Sequence, residues 1–256
     1  MEKTISYKFC FNKDTFDNIS LEMFIQNWQI YLGFFPTKIV CTKIGIYEAT
    51  TISKKIIEKI NSIKANIRLT LFDSSEQVSF DITNTANRVT CQCITFNLSN
   101  DSKLDDLIIH RFLENNNFIV GYVYDKEFVR WQSEVNPSHY KLFNKSVKET
   151  KLYWNDFLNE EQIDTSNNPG RMTLVRGMWL CVSPIMYFGE PMFDFIPRNQ
   201  ITKNNLLDSV VSILNERVVK IVLFDNILAC DDKNNYQKLI DFRELFKIDD
   251  LEAKLK

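Results

Sequence analysis

Two hydrophobic periods alternate along the first half of the chain, and this alternation limits the folds that it can adopt. Residues 5–11 alternate polar and apolar side chains with a period of two, which is typical of a β-strand. Residues 21–35 instead repeat apolar side chains at helical spacing after the N-cap candidate Ser20, and Pro36 ends the pattern. A chain that changes period in this way combines strands with helices.

The same two periods predict the other elements of residues 1–120, in the order strand, helix, strand, helix, three strands, helix, strand. These further elements are strands at residues 39–47, 68–72, 78–82, 88–98 and 118–124, and helices at residues 51–63 and 104–113. Because hairpins and crossovers are mixed, we expect an α+β fold. Its mixed, largely antiparallel sheet would be covered by helices and be ferredoxin-like in part.

The second half of the chain has longer loops. It predicts helices at residues 145–158, 203–217 and 236–255, one or two strands within 173–188, and a strand at 218–224, with the helical tail ending in solvent. A length of 256 residues allows two lobes. We therefore expect an α+β scaffold lobe at residues 1–120 and a second α+β lobe at residues 121–256, packed closely on the first.

Charge and hydropathy exclude two classes of partner. The formal net charge is −2 and the isoelectric point is about 5.8, whereas a nucleic-acid-binding protein usually carries a basic stripe or a high isoelectric point. No apolar run approaches the roughly 20 residues that span a bilayer, and residues 1–11 lack a signal-peptide core. We expect a cytoplasmic protein that binds neither nucleic acid nor membranes.

The six cysteines are spread through apolar segments, which favours reduced core thiols over a disulfide framework. Cys91 and Cys93 lie two residues apart in a predicted strand, so they share a face and could bind a soft metal. No second Cys or His pair follows at the spacing of a structural zinc site. Core packing is therefore the favoured interpretation, and we expect no metal and no cofactor.

Glu134 and His139 are the best candidates for acid–base chemistry, because a carboxylate beside an imidazole is the minimum of a general-base pair. The chain lacks a nucleophile elbow, a phosphate-binding glycine loop, an HExxH helix and a dinucleotide fingerprint. We therefore assign no catalytic residue and expect a protein that is not an enzyme.

The run DTSNNPGR, Asp164–Arg171, encodes a defined turn. Asp and Ser side chains bond nearby amides, Asn-Pro restricts the backbone, and Gly allows a positive φ. Arg171 at the end of this turn could hold a carboxylate or a phosphate of a ligand. An internal salt bridge from Arg171 to Asp164 or Glu134 is the alternative, and it is somewhat favoured.

Two aromatic segments are candidates for a binding surface. Residues 121–140 include Trp131 among several tyrosines, and residues 177–197 combine Met with Tyr187 and Phe188 around the turn Gly189–Pro191. Rigid aromatics beside adaptable Met side chains suit a protein interface. Core packing explains the same composition, so the exposure of these rings decides between the two.

Several motifs of the second half resemble a largely uncharacterised bacterial family that is similar to polymorphic-toxin immunity proteins. The motifs are YVYD at 122–125, WQSE at 131–134, DTSNNPGR at 164–171, MWL and MYFGEPMF within 178–193, IP at 196–197 and RELFKIDDLE at 243–252. The resemblance covers roughly the C-terminal half and brings no catalytic residues with it. It implies a protein that protects bacteria by binding a cognate toxin.

We therefore expect a non-catalytic, immunity-type protein that neutralises a cognate bacterial toxin in bacterial competition. The expected contact residues are Trp131, Glu134, Tyr187, Phe188 and Glu190. Asp164 and Arg171 would brace the loop beneath them.

Two alternatives stay open at this point. In the first, the protein is a small-molecule enzyme or ligand-binding protein whose polar cleft is built from Glu134, His139, Asp164 and Arg171, and these four side chains should then line one pocket. In the second, it is a structural module of a larger assembly and carries a large apolar face.

Overall fold

The protein was analysed as a computed structural model, which describes residues 3–12, 15, 38–41, 45–48, 68–72, 79–84, 91–99, 103–148, 150–203 and 209–256. Most strands belong to one large sheet: β1 (Thr4–Asn12), β2 (Lys38–Cys41), β3 (Gly45–Glu48), β4 (Arg68–Phe72), β5 (Ser79–Asn84), β6 (Cys91–Ser99), β7 (Phe118–Asp125), β12 (Ile185–Phe188), β13 (Val210–Asn215) and β14 (Val218–Val222). Two separate hairpins pair β8 (Leu152–Asn155) with β9 (Glu160–Ile163), and β10 (Thr173–Val175) with β11 (Met178–Leu180).

Helices flank this sheet. They are α1 (Asp106–Leu113), α2 (Lys126–Ser133), α3 (Pro137–Leu142), α4 (Arg198–Thr202), α5 (Lys233–Leu245) and α6 (Ile248–Leu255), and a 3₁₀ turn spans Glu190–Asp194. Aspartates start three of the helices, because the side chains of Asp105, Asp125 and Asp232 accept hydrogen bonds from the first free amides of α1, α2 and α5. The α+β class predicted from the sequence is confirmed.

The large sheet has ten strands in the order β13-β14-β12-β7-β1-β6-β5-β4-β2-β3. Every neighbouring pair among the described strands is antiparallel. Since β6 and β7 both run antiparallel to β1, which lies between them, they are parallel to each other and are joined through α1. This split β-α-β unit is the ferredoxin-like element of the sheet.

The sheet continues across residue 120, where the sequence suggested a boundary between lobes. Strand β7 contains this residue and pairs with β1 on one side and with β12 on the other. Both halves of the chain therefore contribute strands to the same sheet.

The two faces of the sheet carry different coverings. Phe112 of α1 stacks on Phe9 with ring centroids 5.4 Å apart and meets Phe11 edge-on, so α1 covers the face of β1 that carries its odd-numbered side chains. On the opposite face, Lys8 lies 4.7 Å from the ring centre of Trp179 in β11, and Phe188 packs against Phe242 of α5. The second half of the chain thus covers that face.

The described cysteines agree with the expectation of core thiols. Cys10, Cys91, Cys93, Cys181 and Cys230 are all free and buried. The Cys10 and Cys93 sulfurs lie 3.3 Å apart across β1 and β6. Among the described residues, no group of three or more His, Cys, Asp or Glu side chains could hold a metal ion.

Some predictions of secondary structure need correction. Residues 39–47 form two paired strands, β2 and β3, rather than one. Within 145–158 and 203–217, each predicted as a helix, the structure places β8 and β13 instead. The tail forms two helices, α5 and α6, rather than one; Leu251 and Glu252 are buried, whereas Ala253, Lys254 and Lys256 at its end are exposed. The helices predicted at 21–35 and 51–63 lie outside the described residues.

Candidate functional site

Tyr187 and Phe188, two of the predicted contact residues, are buried in the sheet. Their exposed fractions are 3% and 2%, because β12 is an interior strand that pairs with both β7 and β14. Gly189 keeps the following turn close to the sheet, since a Cβ atom there would lie 2.4 Å from the Phe118 carbonyl oxygen. These two rings therefore pack inside the sheet rather than at the surface, where the prediction placed them.

Trp131 lies half-buried on α2. Its indole nitrogen donates to Glu127 Oε1 at 3.1 Å, and its ring meets Tyr140 edge-on at 4.8 Å between centroids. The Tyr140 hydroxyl in turn donates to the Trp131 carbonyl oxygen at 2.9 Å. Trp131 thus joins α2 to α3, and only part of its ring remains at the surface.

Glu134 and His139 do form a pair, with His139 Nδ1 2.8 Å from Glu134 Oε2. Burial alone would raise the pKa of Glu134, but hydrogen bonds from His139 and from the Asn136 amide lower it below its usual value.

The last predicted contact residue, Glu190, is exposed and pairs with Arg217 Nε at 3.0 Å.

Arg171 is buried in a cluster of two arginines and two carboxylates, which we call the ion-pair network: Arg171, Arg243, Asp249 and Glu252. Each guanidinium lies within 2.7–3.1 Å of both Asp249 Oδ1 and Glu252 Oε2. Arg171 also donates to the Ser166 and Asn168 carbonyl oxygens, and Arg243 donates to that of Pro169 at 3.1 Å. Arg171 thereby braces the loop, but its acidic partners are on α6 rather than Asp164 or Glu134.

Three of the motifs that carry the resemblance meet around this network. Gln132 of WQSE accepts at its carbonyl oxygen from Asn168 Nδ2, and at Oε1 from the Gly170 amide. A Cβ atom on Gly170 would lie 2.4 Å from Phe128 Cε1, so this tight approach requires glycine. The segments WQSE, DTSNNPGR and RELFKIDDLE are therefore bound to one another inside the molecule.

Asp164 starts the same loop and faces solvent on one side. Its carboxylate accepts from the Ser166 amide at 2.9 Å and lies 3.0 Å from Lys151 Nζ. Hydrogen bonds from Ser166 and then from Lys151 lower the pKa of Asp164 to about 2. The carboxylate is thus fully ionised at neutral pH and fixes the start of the turn.

A cleft of about 430 Å³ borders this loop, and its lining includes Asp164, Arg171, Glu252 and Tyr153. Glu134 and His139 do not line it. The four residues that were expected to build one polar pocket are therefore divided between two sites. Arg171 is already bonded to two carboxylates and two carbonyl oxygens, so few of its N–H groups are left to bind a ligand.

The hairpin of β8 and β9, Leu152–Ile163, has an unusual surface and is called the aromatic hairpin below. Five large apolar side chains are exposed on it: Leu152, Tyr153, Trp154, Phe157 and Leu158. Phe157 at the tip is 93% exposed and Trp154 is 57% exposed. Asp156, Glu160 and Glu161 lie exposed among them. Contiguous exposed aromatics of this kind usually mark an interaction site.

Hydrogen bonds on one face hold the aromatic hairpin in shape. Gln162 Oε1 accepts from the Tyr153 hydroxyl and from Asn155 Nδ2, both at 2.9 Å. Asn155 Oδ1 also accepts from the Phe157 and Leu158 amides, while Asn159 takes a left-handed φ of 54° to close the turn. Trp154 lies on the other face, opposite Glu161.

The base of the aromatic hairpin is attached to the body of the protein. The Ile163 amide donates to the Val135 carbonyl oxygen at 2.8 Å, beside the Glu134–His139 pair, and the Ile163 side chain is buried. The apolar tip therefore projects from a fixed base.

Sequence reasoning missed this hairpin because it predicted a helix over residues 145–158. The signal that could have found it is the run NDFLN, in which Asn155 and Asn159 flank the turn between two short runs with β-forming character. Asparagine adopts the left-handed conformation more readily than other residues with side chains.

Comparison with known proteins identifies no relative: no family model, curated protein or solved structure matches the chain. Among the described helices, none has the length and apolar character to cross a membrane.

Proposed function

We propose that the protein is a non-catalytic, immunity-type protein that binds a cognate bacterial toxin in the cytoplasm and thereby neutralises it. The observation that carries this proposal is the aromatic hairpin, whose backbone and polar groups are bonded internally while Trp154, Phe157 and Leu158 stay exposed. A folded chain gains stability by burying such rings, so leaving them in water favours a role outside the protein's own core.

The rigidity of the hairpin supports a binding role. Association costs free energy when side chains and loops must be ordered, and a hairpin already fixed by Gln162 and Asn155 avoids part of that cost. Aromatic side chains at the centre of an interface usually contribute most of the binding energy. Trp154 and Phe157 therefore replace Tyr187 and Phe188 as the main contact residues that we propose, and Trp131, Glu134 and Glu190 stay predicted contacts.

The experiment uses the genes beside the one that encodes this protein, because toxin and immunity genes are normally adjacent. Each neighbour's product is expressed with and without this protein, bacterial growth is followed, and binding is measured by calorimetry. We expect one neighbour to be toxic alone, harmless in the presence of this protein, and bound tightly by it.

The hairpin is tested with the double variant Trp154→Ala, Phe157→Ala, which should lose both protection and binding. Leu142→Ala, which removes an exposed apolar side chain from α3, is the matched control and should keep both. The proposal is overturned if no neighbour is toxic and bound, or if the double variant protects as well as the control.

A further inference from the structure

A second cleft, which we call the α1 cleft, lies between the first turn of α1 and the sheet. Its volume is about 500 Å³, within the range of pockets that bind small molecules. It lies on the sheet face that α1 covers, and the aromatic hairpin and the ion-pair network contribute no residue to its lining.

The floor of the α1 cleft is set by strand register. Tyr7, Val123 and Ile185 are directly opposite one another across β1, β7 and β12, and therefore share a face. In the next row, Tyr187 of β12 is opposite Lys220 of β14. The floor thus combines apolar side chains with two phenol rings and one ammonium group.

The hydroxyl group of Tyr187 is a donor that opens into the cleft. Only 3% of the residue is exposed, and it lines the cleft. Its hydroxyl makes no hydrogen bond to a described residue, and it is not among the fully enclosed unpartnered atoms of the described chain, so the cleft is where it can find an acceptor. Burial raises the pKa of Tyr187 far above its usual value, so the group remains a hydrogen-bond donor at neutral pH.

Charges of both signs line the α1 cleft without neutralising each other. Lys103, Lys220 and Asp106 all contribute to the lining, and the ion pairs of the described residues include none among these three side chains. The Lys220 ammonium lies 5.8 Å from the ring centre of Tyr187. The neighbouring Asp105 is occupied, because its carboxylate caps α1 by accepting from the Leu107 amide at 2.7 Å.

These groups match one class of ligand. A carboxylate would accept from Tyr187 and pair with Lys220, an ammonium group would pair with Asp106, and an apolar side chain would lie on Val123 and Ile185. We propose that the α1 cleft binds a small zwitterion of this kind, a free α-amino acid with an apolar side chain.

Calorimetric titration of the full chain with L-leucine tests the proposal. The matched probes are 4-methylpentanoate, which lacks the ammonium group, and L-leucinamide, which lacks the carboxylate. We expect saturable binding of L-leucine, and binding at least about tenfold weaker for either analogue, since each leaves one charged group of the cleft unpaired.

Three variants assign the roles. Tyr187→Phe should keep the thermal midpoint, because the hydroxyl bonds to nothing among the described residues, yet weaken L-leucine binding about tenfold. Asp106→Asn should remove the preference for L-leucine over 4-methylpentanoate, and Lys220→Met should remove the preference over the amide. Lys233→Met, which changes an exposed lysine of α5, is the control and should bind as the unchanged protein does.

The proposal is overturned if neither L-leucine, L-valine nor L-phenylalanine binds saturably, or if Tyr187→Phe and Lys220→Met bind L-leucine unchanged. The variant Trp154→Ala, Phe157→Ala should bind L-leucine normally. A failure of L-leucine binding can therefore be distinguished from a failure of toxin binding.

Discussion

The ion-pair network and the aromatic hairpin border the same cleft but differ in which side chains they bury and which they expose. In the network, the side chains of Arg171, Arg243 and Glu252 are buried, and each charge is paired. In the hairpin, the polar groups are bonded but the large apolar side chains are exposed. The first region stabilises the protein's own fold, whereas the second leaves a surface for another molecule.

This contrast changes how the sequence motifs are interpreted. DTSNNPGR and RELFKIDDLE supply the network, and WQSE is bonded to the same loop through Gln132. The hairpin at residues 152–163 lies outside every one of these motifs. The motifs therefore describe how the second half of the chain folds, and the proposed toxin contact lies in the segment between them.

Removing one member of the network should have the largest effect on stability. In Arg243→Met, Asp249 and Glu252 lose one of their two guanidinium partners, and the Pro169 carbonyl oxygen loses its donor. Breaking a buried ion pair from one side costs about 3–5 kcal/mol. We expect the free energy of unfolding, measured by urea titration, to fall by about this amount.

The matched control is Arg176→Met, which changes an exposed arginine near the same region. It should alter the free energy of unfolding by less than about 0.5 kcal/mol. If both variants lose the same stability, the network does not hold the loop as we infer.

Acid should weaken the loop that Asp164 and the ion-pair network hold. The pKa of Asp164 is lowered to about 2 by Ser166 and Lys151. Burial alone would raise the pKa of Glu252, but Lys256 and Arg171 lower it overall. Because these pKa values are lower in the folded state, their contribution to stability is present above about pH 4 and is lost as the pH falls toward about 2.

Urea titrations between neutral pH and about pH 3 measure this loss. We expect a smaller effect than in Arg243→Met, and a shallower decline with falling pH in Asp164→Asn, which has no carboxylate to protonate there. The control Asp156→Asn removes an exposed carboxylate from the hairpin tip and should leave the slope unchanged. Equal slopes in all three proteins would contradict the assigned role of Asp164.

Local sequence patterns predicted the central strands of the large sheet better than they predicted the hairpins in the second half of the chain. Strands β1, β4 and β7 follow from alternation or apolar runs in the sequence, and all three lie inside the sheet. Residues 145–158 and 203–217 were predicted as helices because apolar side chains recur there at spacings that also fit a helix. In the structure, β8 and β13 within these segments pair in hairpins, and hairpin pairing depends on partners that a local pattern does not contain.

The candidate site was predictable only in part. The sequence indicated that Asp164 and Arg171 fix a loop, but the acidic partners of Arg171 come from α6, about 80 residues along the chain. It also favoured Tyr187 and Phe188 as surface residues because a turn follows them. Their burial results from the position of β12 between two other strands, which only the sheet order reveals.

The smallest effect on stability is expected from the most exposed residues. Trp154→Ala with Phe157→Ala removes two large rings, yet both residues are more than half exposed and the side-chain hydrogen bonds of Gln162 and Asn155 do not involve the rings. The free energy of unfolding in urea should therefore change by less than about 0.5 kcal/mol, while toxin binding should lose about 2 kcal/mol or more. Gln162→Ala is the opposite control, because it removes the acceptor that fixes the hairpin and leaves both rings in place. If the double variant lost as much stability as Arg243→Met, the rings would belong to the protein's own core and the contrast between the two regions would fail.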